Sequence, residues 1–452
     1  MPTAPGHHRG SSESHRRPLW LGAAVAGGAA VVLAVLLTQV LPLGEDLTWL
    51  WPGDASAATS ALQIVATSVM TATTLTFSLT VVAIQLASQQ FSPRLLREFT
   101  RDPVTKTVLA VLAAAFAFTS TAVRTIRTDA PVPTVAIVVG QLLGLASFAA
   151  IVAFISHIVR MLRVDSMMLA VHDDAVRAME ASYPPYEEVP RSPDELDLDA
   201  ALGRSVMASS SGFVQGVDVA GLVRAAQEHD AVVRVETRPG DQVMRGTPVA
   251  TVWAREGAAG RRLDPVPDAL ADGVRTAVRM GYERTFDQDT SFGLRQLEDI
   301  AVKAMSPSVN DPVTAATAAG HLGDLLVQLT GRHLGATLHE DEEGVGRAVV
   351  PDRDLRYYLD LTCGQLQRFA ADEPTVLVAL LRMLRDVAVS CRDDAQRAEV
   401  ARAARLVREE LPQGASETDA AGVVDLHERV ERALAGDLVA AYADRAGETR
   451  SI

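Results

Sequence analysis

The chain has 452 residues, 48 % hydrophobic and 22 % charged, with 56 acidic against 42 basic side chains and a formal net charge of −14. The charge is split: up to Arg163 there are 11 Lys/Arg and 7 Asp/Glu, leaving 31 and 49 for the remainder. An acidic body of that kind speaks against nucleic acid as a partner, and two widely spaced cysteines, Cys363 and Cys391, speak against a disulfide or thiolate–metal framework.

Residues 1–18 form a polar tail with Arg9, Arg16 and Arg17. Apolar stretches without Asp, Glu, Lys or Arg then run over 19–43, 55–93, 107–123 and 131–159. A bilayer core of about 30 Å needs about 20 helical residues, so each stretch predicts a membrane span. The first is too long for the core of a signal peptide and is followed by further spans. Basic residues set the expected orientation. Arg94, Arg97, Arg101 and Lys106 lie between the second and third spans, and Arg160 and Arg163 follow the fourth. The loop after the first span carries Glu45, Asp46 and Asp54 instead. Both termini are therefore expected in the cytoplasm, with Arg124 and Arg127 in a short outer loop as exceptions. Trp20, Trp49 and Trp51 suit interfacial anchors, and 91–99 suits a short helix lying on the inner leaflet.

The second stretch is the informative one. Residues 57–87 would make a helix of roughly 46 Å, longer than the hydrocarbon core. Ser60, Gln63, Thr67, Thr71, Thr74, Ser78, Gln85 and Ser88 recur at spacings of three, four or seven, which places them on one face. Two readings of that stripe stay open. Small hydroxyl residues let helices pack closely and hydrogen-bond. Alternatively, hydroxyl and amide groups line a watery path and replace an ion's hydration shell. In the second reading Gln63, Thr67, Thr71, Thr74, Ser78 and Gln85 are the pore-lining residues.

Residues 164–203 read as an acidic helix, ended by Tyr183-Pro184-Pro185, and a linker. Residues 204–262 read as a small α/β module: strands over 212–217, 231–235 and 249–253, a helix over 220–227, and glycine turns at Gly240 and Gly246. The run Gly240-Asp241-x-Val243-x-x-Gly246 resembles the turn of biotinyl/lipoyl-like barrel-sandwich domains, yet no lysine stands there to carry a cofactor. Residues 263–452 read as an all-α region, with helices starting at Asp311-Pro312 and covering 355–369, 374–391, 395–410 and 423–441.

Three segments carry a resemblance: Thr73 to Leu79 with Ser92-Pro93-Arg94, the module from Gly216 to Val252, and Arg284-Thr285-Phe286-Asp287-Gln288-Asp289 with Ala304 to Pro312. Together they resemble the family called domain of unknown function 2254, predicted bacterial membrane proteins. The resemblance implies a bacterial inner-membrane location and supplies no activity. Within its signature, Asp287, Asp289, Asn310 and Asp311 are candidates either for cation ligands or for caps and ion pairs.

HExxH, GxSxG, P-loop and GxGxxG patterns are absent, so no enzyme and no cofactor is expected. The expected fold is an α-helical integral membrane protein with an α/β module and a helical C-terminal region. The expected function is a homo-oligomeric, cation-conducting pore whose second helix lines the path and whose acidic part forms a vestibule. The rival is a membrane-anchored scaffold or sensor whose soluble part binds a partner or small ligand.

Overall fold

A computed structural model describes residues 19–40, 51–90, 102–127, 132–161, 163–196, 198–255, 263–412 and 414–443; side chains 19, 20, 40 and 86–90 are not described. The chain divides into two compact units, Met1–Ser166 and Met167–Ile452.

Among the described residues the first unit holds four long helices: α1 (Leu19–Val35, continued by one π-turn, Leu36–Val40), α2 (Ala55–Gln90), α3 (Pro103–Thr125) and α4 (Thr134–Met161). All four are long and apolar enough to cross a membrane. Their starts follow from the sequence. Asp54 accepts the Ala57 amide of α2 at 2.7 Å. Asp102 caps α3, accepting from Val104 N and Thr105 N, with Pro103 in the first turn. Small residues set the packing. A Cβ at Gly140 of α4 would lie 2.3 Å from Leu62 Cδ2 of α2, and one at Gly144 would lie 2.8 Å from Val65 Cγ1. This Gly-x-x-x-Gly step lets α4 press its backbone against α2. Two apolar clusters result, one around Ala34, Leu62, Phe118 and Ile137, the other around Val69, Leu112, Phe154 and Ile158. Trp51 packs on the first cluster. Segment 91–99, the Ser88 side chain and the side chains of Trp20 and Trp49 lie outside what the structure describes.

The second unit contains most of α5 (Val164–Ser182) and a mixed body. Strands β2 (Gly212–Val217), β3 (Ala231–Val235) and β5 (Pro248–Ala254) and helix α6 (Val219–Glu228) lie where the sequence placed them, and β1 (Arg204–Met207) and β4 (Gln242–Val243) are further strands that it did not. Gly240 and Gly246 sit at φ 89° and 84°, the left-handed region that a Cβ disfavours, so both are true turn glycines.

The expectation of an all-α region after residue 263 is corrected. Following α7 (Asp268–Ala277), β6 (Val278–Gly281) pairs antiparallel with β2 and completes a three-stranded sheet, β4-β2-β6. The hairpin β7 (Thr337–Glu340) and β8 (Gly346–Val350) joins the other sheet, ordered β1-β5-β3-β8-β7, through a parallel β3–β8 pairing at Val233–Ala348 and Arg234–Val349. The module is thus not closed at residue 262. Its core, with Val233, Val252, Leu270 and Val274, includes Ala348.

Helices α8 (Thr290–Ala304), α9 (Pro312–Thr330), α10 (Leu355–Cys363), α11 (Leu366–Phe369), α12 (Pro374–Ser390), α13 (Asp394–Glu409), α14 (Glu417–Leu434) and α15 (Leu438–Ala441) form the remainder. The expected helix over 423–441 breaks at Gly436, φ 83°. Arg385, fully buried in α12, lies 4.3 Å from the Tyr442 ring, and Tyr442 donates to Asp386 at 2.8 Å, which seats the last short helix.

Candidate functional site

On α2, Ala55, Ala58, Leu62, Val69, Thr76 and Ala83 are buried against the bundle. The six residues expected to line a pore, Gln63, Thr67, Thr71, Thr74, Ser78 and Gln85, are all exposed. At about 100° per residue the two sets are centred about 160° apart. The polar stripe therefore faces directly away from its own bundle. Exposed apolar side chains border it, Ile64, Leu75 and Val82 along one edge and Met70, Phe77 and Val81 along the other.

The threonines of the stripe turn their protons inward. Thr67 Oγ1 donates to Gln63 O at 2.9 Å, Thr71 to Thr67 O at 3.0 Å and Thr74 to Met70 O at 3.1 Å. Back-bonding of this kind makes a hydroxyl tolerable in an apolar medium and leaves its lone pairs pointing outward. Carboxamides cannot satisfy themselves this way, and Gln63 and Gln85 have no side-chain hydrogen bond among the described residues. Elsewhere in α1 to α4 the ionisable side chains are Lys106, Arg124, His157 and Arg160. His157 Nε2 lies 3.0 Å from the capping carboxylate Asp102, linking the start of α3 to the end of α4.

In the second unit, Asp289 caps α8 and is almost wholly buried. It accepts from Phe292 N at 3.1 Å and Ser291 Oγ at 2.7 Å, and it pairs with Arg284 at 2.6 Å. Asp311 caps α9, and hydrogen bonds from the Thr314 hydroxyl and amide hold its carboxyl below the usual range. Asn310 sits before it at φ 47°, and Asp287 is exposed beside Thr285. Asp289 precedes α8 and Asn310–Asp311 follow it, so the two pairs lie at opposite ends of a helix about 22 Å long. The four residues are not brought together, and no group of three potential metal ligands occurs among the described residues.

A different cluster emerges. The Arg238-Pro239-Gly240-Asp241 turn rides on the Arg284–Asp289 pair: a Cβ at Gly240 would lie 2.3 Å from Asp289 Oδ2. Arg353, in the loop after β8, donates to Pro239 O at 2.8 Å and Asp241 Oδ1 at 3.1 Å. Beside it the Tyr183 and Tyr358 hydroxyls are 2.7 Å apart, and the Asp352 carboxylate accepts from the Arg353 amide at 2.7 Å. Burial pushes the Asp352 carboxyl above its ordinary range, against the opposing hydrogen bonds and arginines. The tight Arg-Pro-Gly-Asp and Pro-Asp-Arg-Asp runs are the sequence trace of this cluster. Their meeting depends on the β3–β8 pairing, which no local pattern announces.

The family described as "Predicted membrane protein (DUF2254)" matches residues 16–386. Uncharacterized proteins of Mycobacterium bovis and Mycobacterium tuberculosis are 32 % identical over 408 residues, which cover 89 % of this chain and 77 % of theirs. No solved structure matches the chain significantly.

Proposed function

We propose, from the premise that this chain belongs to the DUF2254 family of predicted membrane proteins, that it assembles with copies of itself around the polar stripe of α2 and conducts inorganic cations. The observation that carries this reading is the position of the stripe, opposite the face that α2 buries in its own bundle. A lone subunit would present Gln63 and Gln85 carboxamides to lipid, which is costly. Copies arranged around an axis would cover the apolar borders of the stripe and leave its oxygen lone pairs facing water. The apposed acceptors and the net charge of −14 both favour cations over anions. In this reading the protein is a non-enzymatic, multi-pass protein of the bacterial inner membrane, with both termini and the acidic unit on the cytoplasmic side.

One observation favours the rival, a membrane-anchored scaffold or sensor. The threonine protons are already satisfied within α2, so the stripe can also pack dry against a neighbour. Cation flux into liposomes holding the purified protein separates the two. Flux that changes in Thr74→Val and Gln63→Leu supports the pore, and no flux above empty liposomes supports the scaffold.

A further inference from the structure

The stripe of α2 carries no formal charge along its whole length. Helix α2 runs from Ala55 to Gln90 without an Asp, Glu, Lys or Arg, a span of about 54 Å. Gln63, Thr67, Thr71, Thr74, Ser78 and Gln85 therefore present neutral oxygen atoms. The other membrane helices supply no carboxylate either. All seven acidic residues up to Arg163 lie outside α1 to α4. Two of them stand at helix starts and are engaged there: Asp54 accepts the Ala57 amide at 2.7 Å, and Asp102 accepts the Thr105 amide at 2.7 Å. At about 100° per residue, the position of Asp54 lies about 140° from the centre of the stripe.

We infer, resting on the reading of the stripe as a cation path, that the ions it passes are monovalent and that calcium and magnesium are excluded. A path lined by copies of one chain gains no ligand that the chain itself lacks, so every copy brings the same neutral set. The cost of stripping water from an ion grows with the square of its charge, whereas its attraction to a fixed neutral dipole grows only in proportion to that charge. Hydroxyl and amide oxygens can thus replace the water shell of a singly charged ion and fall short for a doubly charged one. Protein sites that hold calcium or magnesium use carboxylates, and magnesium gives up its waters reluctantly.

The threonines fix the sign of the ion. Their protons go to Gln63 O, Thr67 O and Met70 O within α2. Each Oγ1 is left with lone pairs and no free proton, which suits a cation and not an anion. Discrimination between cations then depends on the missing negative charge, and a carboxylate placed on the stripe reverses it.

The test is ion flux into liposomes holding the purified full-length protein, with potassium compared against calcium and against magnesium, beside empty liposomes. The parent is expected to pass potassium about ten-fold faster, or more, than either divalent ion. Thr74→Asp should narrow that gap about ten-fold, and Thr74→Asn, similar in shape and uncharged, should keep it. Calcium or magnesium passing the parent as fast as potassium overturns this inference and leaves the cation pore standing. A gap unchanged in Thr74→Asp, or closed equally in Thr74→Asn, also overturns it. No cation flux of any kind overturns the pore reading and this inference with it. If Thr74→Asp does not fold, the ratio of potassium to divalent flux in the parent decides alone.

Discussion

At the residue scale, two glycines of one β module should respond differently to the same substitution. Gly240 and Gly246 both have positive φ, so alanine is strained at either. At Gly246 nothing lies within 4 Å of the added Cβ, and the cost is the backbone alone, about 1 kcal/mol. At Gly240 the Cβ would also meet Asp289 and Arg284, both largely enclosed. Gly240→Ala is expected to cost about 1–2 kcal/mol more than Gly246→Ala, read as the difference in melting temperature between the two variants. Equal losses would mean that the turn does not bear on the Arg284–Asp289 pair. The cysteines matter for a practical reason. Burial pushes the Cys363 thiol up to about 12 and the Cys391 thiol up to about 11, so both stay protonated and enclosed near neutral pH. Thiol reagents should therefore leave the folded parent unlabelled.

At the element scale, the four long helices were plain in the sequence, because uninterrupted apolar runs answer to bilayer thickness alone. So were β2, β3 and β5, bounded by glycine turns. What escaped was non-local. Strand β6 follows α7 without a turn, so Val278 to Gly281 reads as the end of a helix. The β7–β8 hairpin is short, and its place depends on a parallel partner more than 100 residues earlier in the chain. The stripe was legible from spacing. Its direction was not, since hydropathy cannot tell which face of α2 the bundle takes. That choice is made by Gly140 and Gly144, which accept Leu62 and Val65. Gly140→Val should therefore separate α2 from α4 and lower the melting temperature by several degrees, whereas Gly28→Ala, with nothing within 4 Å of its Cβ, should be near neutral. A harmless Gly140→Val would remove the basis for placing the stripe on the outer face.

At the scale of the whole molecule, the proposed assembly and cation passage both depend on the outward polar seam of α2, and the two fail differently. If the stripe packs dry, Thr74→Val removes an interhelical contact worth about 0.6 kcal/mol and weakens assembly slightly. If the stripe faces water, the same change alters flux and leaves assembly intact. The most direct measurement is the reactivity of single cysteines at 63, 67, 71, 74, 78 and 85 in membranes, against cysteines at the bordering positions 64, 75 and 82 and at the loop position 54. With a water-lined stripe, the stripe positions react with water-soluble thiol reagents with a period near 3.6 residues, while the bordering positions stay silent. Silent stripe positions beside a reactive position 54 would contradict it.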